Sequence, residues 1–229
     1  GLDHPTGGRG AGSDDCRAVA HFDAEFRGEG AHAGGNPNRG RNAVQAMATA
    51  VQNLYGIARH EDGATRVNAG DVGGGTAPNI IPEEAYIHAE VRGETTELME
   101  YTRERAHSVV EAAAEMHDCS STVESGPEAP SATSDERLVD VVTDIAGDSD
   151  QVEQCLRRDS LGGSEDATFL MDRVQQQGGV ATYVGIGTDH PGGHHTATFD
   201  VDEESLSIGV SVLAGAIERL GGDDSPLDV

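Results

Sequence analysis

The arrangement of apolar and polar positions divides the chain into strands and helices before any other property is considered. Residues 18–27 and 84–92 alternate between apolar and polar side chains, which predicts strands with one buried face. Residues 64–72 and 119–125 are shorter predicted strands, and the glycines at 73–75 are expected to end the first of these two.

Helical patterns lie between these strands. Apolar residues recur every three or four positions over 41–59 and again over 96–117, as expected for helices that pack on one side. The predicted order over 18–125 is therefore β-α-β-β-α-β. This order is typical of the ferredoxin-like fold, an antiparallel four-stranded sheet with both helices on one face.

The pattern changes after the P-E-A-P segment at 127–130, which we interpret as a domain boundary. Helices capped by Ser134 and Ser164, an apolar strand at 180–186 and a last helix over 204–220 predict an α/β layer with too few strands for a complete sheet. The predicted inward positions of the three helices are Leu138, Val141, Val142 and Ile145, then Phe169, Leu170 and Val174, and finally Leu206, Val210, Leu213 and Ile217.

The charge of the chain excludes several classes of function. The 229 residues include 41 acidic and 15 basic side chains, and the net charge of −26 repels nucleic acids and anionic membranes. No apolar run approaches the roughly 18–20 residues of a membrane span. All 15 basic residues are arginine, and this lysine-free acidic composition resembles that of salt-accumulating halophiles, which predicts a cytoplasm of high salt.

The three cysteines, Cys16, Cys119 and Cys155, are far apart in the sequence and form no C-x-x-C pair. A disulfide framework or a cysteine-rich zinc site is therefore not expected. We predict buried thiols in a reducing cytoplasm.

The densest group of reactive side chains follows the predicted strand at 180–186. Residues 187–200 contain His190, His194 and His195 together with two aspartates. Ligand sites favour the carboxyl ends of strands, and neutral imidazole is a common metal ligand. A metal or catalytic site and a solvated polar loop fit this segment equally well. Near the start of the chain, the adjacent Asp3 and His4 could likewise be metal ligands or part of a turn.

Further candidates lie on predicted loops and strand ends. His32 stands among small residues in G-E-G-A-H-A-G-G-N-P, where it could reach a ligand or belong to a plain turn. Asn79, in G-G-G-T-A-P-N-I-I-P, offers an amide to a carboxylate or carbonyl oxygen, and Arg92 offers a bidentate fork unless a structural partner occupies it. Glu165 and Asp166, in G-G-S-E-D, could lie near a metal or only cap the following helix.

Five segments occur in an order that resembles the co-catalytic zinc amidohydrolase superfamily. This superfamily includes aminoacylases, acetylornithine deacetylase, succinyl-diaminopimelate desuccinylase, carboxypeptidase G and allantoate amidohydrolase. The segments are G-x-G-A-H-A with the N-A-V helix after it, G-G-T-A-x-N-I-I-P, E-V-R, G-S-E-D, and H-T-A-T-F-D-V-D-E. Each segment is weak alone, whereas the ordered set is specific and covers nearly the whole chain.

The resemblance implies a metal-dependent hydrolase of amide bonds in N-acyl amino acids or related amides that bear a carboxylate. It implies two divalent metal ions, zinc or alternatively manganese or cobalt. Residues 1–17 would end a preceding catalytic segment, residues 18–126 would form the family's lid and its homodimer contact, and residues 127–229 would complete the catalytic domain.

The resemblance also assigns metal ligands. His195 matches the last ligand of the family, with His194 as its competitor, and His4 matches an earlier ligand, with Asp3 as the alternative. Glu165 would lie near the metal site, as would Asp166.

The remaining assignments concern the substrate. His32 matches a lid histidine that reaches the partner subunit's active site and steadies the developing oxyanion. Asn79 and Arg92 match lid residues that hold the substrate carboxylate, and the substrate is therefore expected to be a small carboxylate-bearing molecule.

Family chains carry three features upstream of the region that matches here: an H-x-D or C-x-H ligand motif, a bridging carboxylate and a Glu-Glu pair with the general base. None of these precedes the matched segments of this sequence. We therefore expect the chain to be the C-terminal part of a longer enzyme and to be inactive alone. The alternative is a non-catalytic module of ferredoxin-like fold that serves dimerisation or binds a small molecule.

The acidic surface generates a first prediction. The melting temperature of the chain should rise with KCl, because the Debye length falls from about 10 Å at 0.1 M to about 3 Å at 1 M and carboxylate repulsion is screened. Thermal melts followed by circular dichroism measure this. A melting temperature that does not change between dilute buffer and molar KCl would show the interpretation to be wrong.

Overall fold

A computed structural model describes residues 10–160, 164–188 and 196–222 of the chain. The chain forms two compact units, and the first is the lid unit, Arg17–Ser131. The second, the α/β unit, combines the residues up to Cys16 with those from Ala132 onward, and strand β1 (Gly10–Asp15) opens its described part. No helix in the described ranges is long and apolar enough to cross a membrane.

The lid unit alternates strands and helices, and a short 3-10 turn at Pro37–Arg39 precedes its first helix. Its elements in chain order are β2 (Ala18–Arg27), β3 (Ala31–His32), α1 (Ala43–Leu54), β4 (Thr65–Gly74), β5 (Ile80–Ile81), β6 (Glu84–Gly93), α2 (Thr96–Met116) and β7 (Ser120–Ala129).

The main sheet of the lid unit is antiparallel and has the strand order β4-β6-β2-β7. This is the ferredoxin-like order, so the fold class predicted from periodicity is confirmed. One apolar cluster joins a single face of this sheet to both helices, and Phe22, Phe26, Ile87 and Val91 are fully buried within it. The opposite face carries the polar residues of the alternating strands.

Several predicted boundaries in the lid unit differ from the structure. Strand β4 continues through Gly73 and Gly74, which were expected to end it, because both glycines pair with β6. Strand β7 extends past its predicted end, since Pro127 lies on an edge strand where a missing N–H costs no ladder bond. The segment around His32, which was predicted to be a loop, contains the short strand β3.

The α/β unit has a three-stranded sheet of order β8-β1-β9. Strand β8 (Gln154–Ser160) pairs with β1 in parallel and was not predicted, whereas β9 (Tyr183–Ile186) pairs antiparallel and lies within the predicted 180–186 strand. Three helices accompany this sheet: α3 (Glu136–Gly147), α4 (Ala167–Gln176) and α5 (Glu204–Gly221).

Two predicted caps are wrong. Helix α3 begins after Asp135 and helix α4 after Asp166, so neither Ser134 nor Ser164 is the capping residue. The buried hydroxyl of Ser134 instead accepts hydrogen bonds from the N–H of Tyr183 and the hydroxyl of Thr182. This serine therefore ties the start of α3 to β9.

The predicted inward faces are confirmed for α3 and wrong for α4 and α5. Leu138, Val141 and Val142 are buried, but the stripe of Leu206, Val210, Leu213 and Ile217 on α5 is 47–72% exposed. Phe169, Leu170 and Val174 on α4 are exposed as well.

Helix α5 buries a face that carries Ile208 and Val212 as well as small residues, and the predicted stripe lies on another side of the helix. Its buried positions include Gly209 and Ala216, and a Cβ at Gly209 would lie 3.3 Å from Ile186 of β9. Residues 205–217 carry no charged side chain, so the periodicity of α5 could not tell the buried face from the exposed one. None of the three cysteines, all of them described, forms a disulfide.

A matched pair of glycines tests the packing of the lid unit. At Gly93 an added Cβ would lie 2.2 Å from the amide nitrogen of Met99, whereas at Gly147 it would meet nothing within 4 Å. Gly93→Ala should lower the free energy of unfolding by about 1–3 kcal/mol, the usual range for overpacking. Gly147→Ala should leave it unchanged or raise it by up to about 1 kcal/mol. Denaturant melts of both variants measure these free energies of unfolding. Equal effects of the two substitutions would contradict the close packing at Gly93.

Candidate functional site

His32 and Asn79 lie together at one end of the lid sheet, the loop end. His32 pairs with Ile80 in the short β3–β5 ladder, and the N–H of Ala33 donates to the carbonyl oxygen of Asn79 at 2.9 Å. Both side chains are exposed. The side-chain amide of Asn79 has no hydrogen-bond partner among the described residues, so it is available to a ligand.

Two backbone N–H groups select the tautomer of the neutral His32 ring. The N–H groups of Gly34 and Gly35 donate to Nδ1 at 3.1 and 2.9 Å. An Nδ1 that accepts two hydrogen bonds carries a lone pair, so the proton of the neutral ring is on Nε2. The ring therefore offers an N–H donor on the side that faces away from its own loop.

Two cavities open at the loop end. His32 lines one of about 570 Å³ together with Glu29, Asn36 and Arg39. The second, of about 390 Å³, lies between the glycine-rich segment at 74–75 and Tyr86, with Ile80 and Pro82 in its wall. The loop end therefore presents a polar concavity and a more apolar one.

Arg92 lies at the opposite end of the sheet, the guanidinium end. It pairs with Val19 on β2 and with Arg66 on β4, near the positions where the chain enters and leaves the lid unit. Strand β6 separates it from Asn79, and ten residues at about 3.3 Å each make a distance of about 30 Å. One copy of the chain therefore brings His32 and Asn79 together but leaves Arg92 far from both.

The Arg92 guanidinium is held by Glu90, two residues earlier on β6. Nε and Nη2 donate to the two carboxylate oxygens at 2.9 and 3.0 Å. Hydrogen bonding to Arg92 lowers the pKa of the Glu90 carboxyl, and the same contact raises the pKa of Arg92. The structural pairing considered from the sequence is therefore present. It leaves the Nη1–Nη2 edge of the fork for another carboxylate.

His21 lies beside this pair, with Nε2 3.6 Å from Glu90. Its Nδ1 is 3.0 Å from the carbonyl oxygen of Pro127, which can only accept, so Nδ1 carries a proton. Further along the same face, Nδ1 of His88 donates to the carboxylate of Asp23 at 2.5 Å, and this hydrogen bond raises the pKa of His88.

The predicted metal ligands fall in segments that the structure does not describe. His4, Asp3, His194 and His195 lie outside the described residues. Within the described ranges, no group of three or more His, Cys, Asp or Glu side chains could hold a metal ion. The described residues alone therefore do not form a complete metal site.

Glu165 and Asp166 are described and exposed at the start of α4. The carbonyl oxygen of Glu165 accepts from the N–H and the hydroxyl of Thr168. Asp166 occupies the N-cap position without a side-chain capping bond. Neither carboxylate thus makes a capping hydrogen bond to the helix, and the role of both near a metal stays a prediction.

Two groups near the site were missed from the sequence. The N–H groups of Gly34 and Gly35 orient His32, and the A-G-G sequence directly after the histidine was the available signal. Glu90 orients Arg92, and the E-x-R spacing on an alternating strand places both on one face.

A ferredoxin-like lid inserted in an α/β unit is the architecture of the lid-bearing metalloamidohydrolases. Residues 17–118 match the family model described as the peptidase dimerisation domain of the M20 family. The chain belongs to this family, and the curated relatives that it matches are named as hydrolases.

Individual relatives agree with this assignment. The indole-3-acetyl-aspartic acid hydrolase of Enterobacter agglomerans is 42% identical over 92% of this chain and 48% of its own length. The crystal structure of an aminobenzoyl-glutamate utilization protein from Klebsiella pneumoniae superimposes with a TM-score of 0.76 at 34% identity, over 94% of this chain and 52% of that one.

A more distant structure shares the fold. It is a dinuclear metal-binding peptidase of the M20 family from Bacillus subtilis, with a TM-score of 0.69 at 20% identity, over 90% of this chain and 52% of that one. The chain spans about half the length of the curated relatives that it matches.

The hydrogen bonds of His32 predict its tautomer. Nitrogen NMR at pH 8 should find the ring proton of His32 on Nε2, because Nδ1 accepts two backbone hydrogen bonds. His21 is the matched control, since its contact with Pro127 requires the proton on Nδ1. A His32 ring protonated on Nδ1 would contradict the structure, because two N–H groups already point at that atom.

Proposed function

We propose that the chain is the C-terminal part of a metal-dependent hydrolase that cleaves the amide bond of N-acyl amino acids. Membership of the M20 family supports this, as does the similarity to a protein named as an indole-3-acetyl-aspartic acid hydrolase. In this proposal the enzyme is a homodimer, and the lid unit of each subunit completes the active site of the other. The observation that carries it is the separation of His32 and Asn79 from Arg92 along β6.

A two-fold axis beside an edge strand would remove this separation. A two-fold perpendicular to the sheet pairs an edge strand with its own copy in antiparallel orientation. The direction of the partner sheet is then reversed. The loop end of one lid unit comes to lie beside the guanidinium end of the other, so His32 and Asn79 of one copy approach Arg92 of its partner.

The choice of edge follows from distance. Pairing through β4 puts the two β6 strands three strand spacings apart, about 14 Å at 4.8 Å per spacing. Pairing through β7 puts them five spacings apart, about 24 Å. Only the β4 edge brings Arg92 within reach of loops from the other copy.

Charge supports the same edge. Helix α1 packs over β4, and residues 42–58 carry no charged side chain although the chain has a net charge of −26. Strand β7 instead presents Glu124, Pro127 and Glu128, which are features of an edge that avoids pairing. We therefore assign the dimer contact to β4 and α1.

The residues then divide the chemistry among themselves. His32 donates its Nε2–H to the negative charge that develops on the amide oxygen, which stabilises the transition state more than the ground state. Asn79 of the same loop end donates to a substrate oxygen. Arg92 of the other copy binds the substrate carboxylate through its Nη1–Nη2 edge, while Glu90 keeps the guanidinium in place.

The metal site belongs to the same proposal. The similarity to a dinuclear metal-binding peptidase supports divalent ions, which we propose are zinc or alternatively manganese or cobalt. His195 and His4 are the proposed ligands, with His194 and Asp3 as alternatives. When bound, such ions polarise a carbonyl and lower the pKa of a bound water.

We further propose that the protein works in a cytoplasm of high salt. The net charge of −26 and the use of arginine for all 15 basic residues support this location. The substrate is then a small carboxylate whose attraction to Arg92 is not overwhelmed by the field of the chain, because salt screens that field.

Mixed dimers test the shared site in the longer enzyme. His32→Ala and Arg92→Ala should each abolish most amide hydrolysis as homodimers. After unfolding and refolding of an equal mixture, half of the dimers carry one intact site. About a quarter of the wild-type activity should then return, as two-fold symmetry requires.

The control is a mixture of His32→Ala with Asn79→Ala, because both changes lie at the loop end and no dimer regains an intact site. Recovery in this control, or no recovery in the first mixture, would contradict the shared site. A longer enzyme that forms dimers but hydrolyses no N-acyl amino acid would favour the non-catalytic dimerisation module instead.

A further inference from the structure

Arg66 stands directly beside Arg92 at the guanidinium end of the lid sheet. The two residues are register partners in the antiparallel β4–β6 ladder, and both are on the face of the sheet opposite the helices. Side chains in this relation have Cβ atoms about 4.5–5.5 Å apart. Like charges directly opposite each other destabilise a sheet, so this pair is costly unless an anion lies against it.

The two guanidinium groups are not equivalent. Arg92 is neutralised by the bidentate contact with Glu90. Arg66 is exposed and has no ion-pair partner among the described residues, although acidic residues outnumber basic ones 41 to 15 in the chain. The neighbouring residues therefore leave one positive charge of the pair uncompensated.

The position of Arg66 relates it to the proposed substrate. It is on β4, the edge strand that the proposed dimer places next to the partner, while Arg92 is one strand further in. A substrate that extends from the partner's loop end to Arg92 therefore passes Arg66.

We propose that Arg66 is a second carboxylate-binding residue, which with Arg92 selects amides of dicarboxylic amino acids. This inference rests on the proposed function, because it places the amino acid of the substrate at the guanidinium end. Arg92 holds one carboxylate of the amino acid, and Arg66 holds the carboxylate of its side chain. Planar guanidinium groups suit both contacts, since each can bind a carboxylate with two parallel hydrogen bonds.

The kinetic test compares N-acetylglutamate with N-acetylglutamine in the longer enzyme at fixed ionic strength. The wild type should prefer the glutamate compound in kcat/KM by at least about tenfold, the usual value of a hydrogen bond to a charged group. Arg66→Gln should remove this preference by lowering kcat/KM for the glutamate compound alone, mainly through a higher KM. Arg66→Lys should retain part of it.

Arg105→Gln is the matched control, because it removes an exposed arginine from α2, which packs on the other face of the sheet. It should leave the preference unchanged. A wild type without preference, or an Arg66→Gln variant that loses activity equally on both compounds, would overturn the inference and leave the hydrolase proposal standing.

A binding measurement separates this inference from the proposed function. Calorimetry on the 229-residue chain at high salt compares the same two compounds without any need for turnover. Tighter binding of N-acetylglutamate that is lost in Arg66→Gln would support the second carboxylate site even if no hydrolysis were found. Equal binding of both compounds, unchanged by Arg66→Gln, would overturn it.

Discussion

Antiparallel pairing of β6 with β2 and β4 is the constraint on which the chemistry of the lid unit depends. Because β6 is a continuous ten-residue strand, it fixes Asn79 beyond one end of the sheet and Arg92 near the other. The alternation of its side chains puts Glu90 and Arg92 on one face, where the carboxylate orients the guanidinium. The apolar residues that alternate with the polar ones along β6 pack against both helices. The same ladder thus stabilises the lid unit and sets the distance between Asn79 and Arg92.

The sequence predicted the lid unit well because its strands have one buried face. Alternation in 18–27 and 84–92 matches the burial of β2 and β6 except at Val19, which is buried on the other face, and the ferredoxin-like order follows from the sequence of elements. The position of Asn79 in a turn was also predictable from glycine and proline, whereas His32 lies in the short strand β3 and not in a loop. The pairing of Ala33 with Asn79, which brings the two side chains together, is a long-range contact with no local pattern.

The α/β unit was harder to predict because its helices and strands do not separate apolar from polar residues. Helix α5 is apolar on two sides, and it buries the side that carries Ile208, Val212 and Gly209, the last of which lies close to Ile186 of β9. Strand β8 was missed since its sequence, Q-C-L-R-R-D-S, is polar and does not alternate. The distance between Arg92 and the loop end could not be predicted from the motif E-V-R either. The motif identifies the arginine but does not show at which end of the sheet it lies.

Helix α5 and the carboxylate surface respond to salt in opposite ways. Rising salt screens the carboxylates from one another. Salts that are excluded from protein surfaces, however, strengthen the association of apolar patches such as the exposed stripe of Leu206, Val210 and Ile217. The high salt that we propose for this protein is therefore also expected to favour association of the exposed α5 stripe.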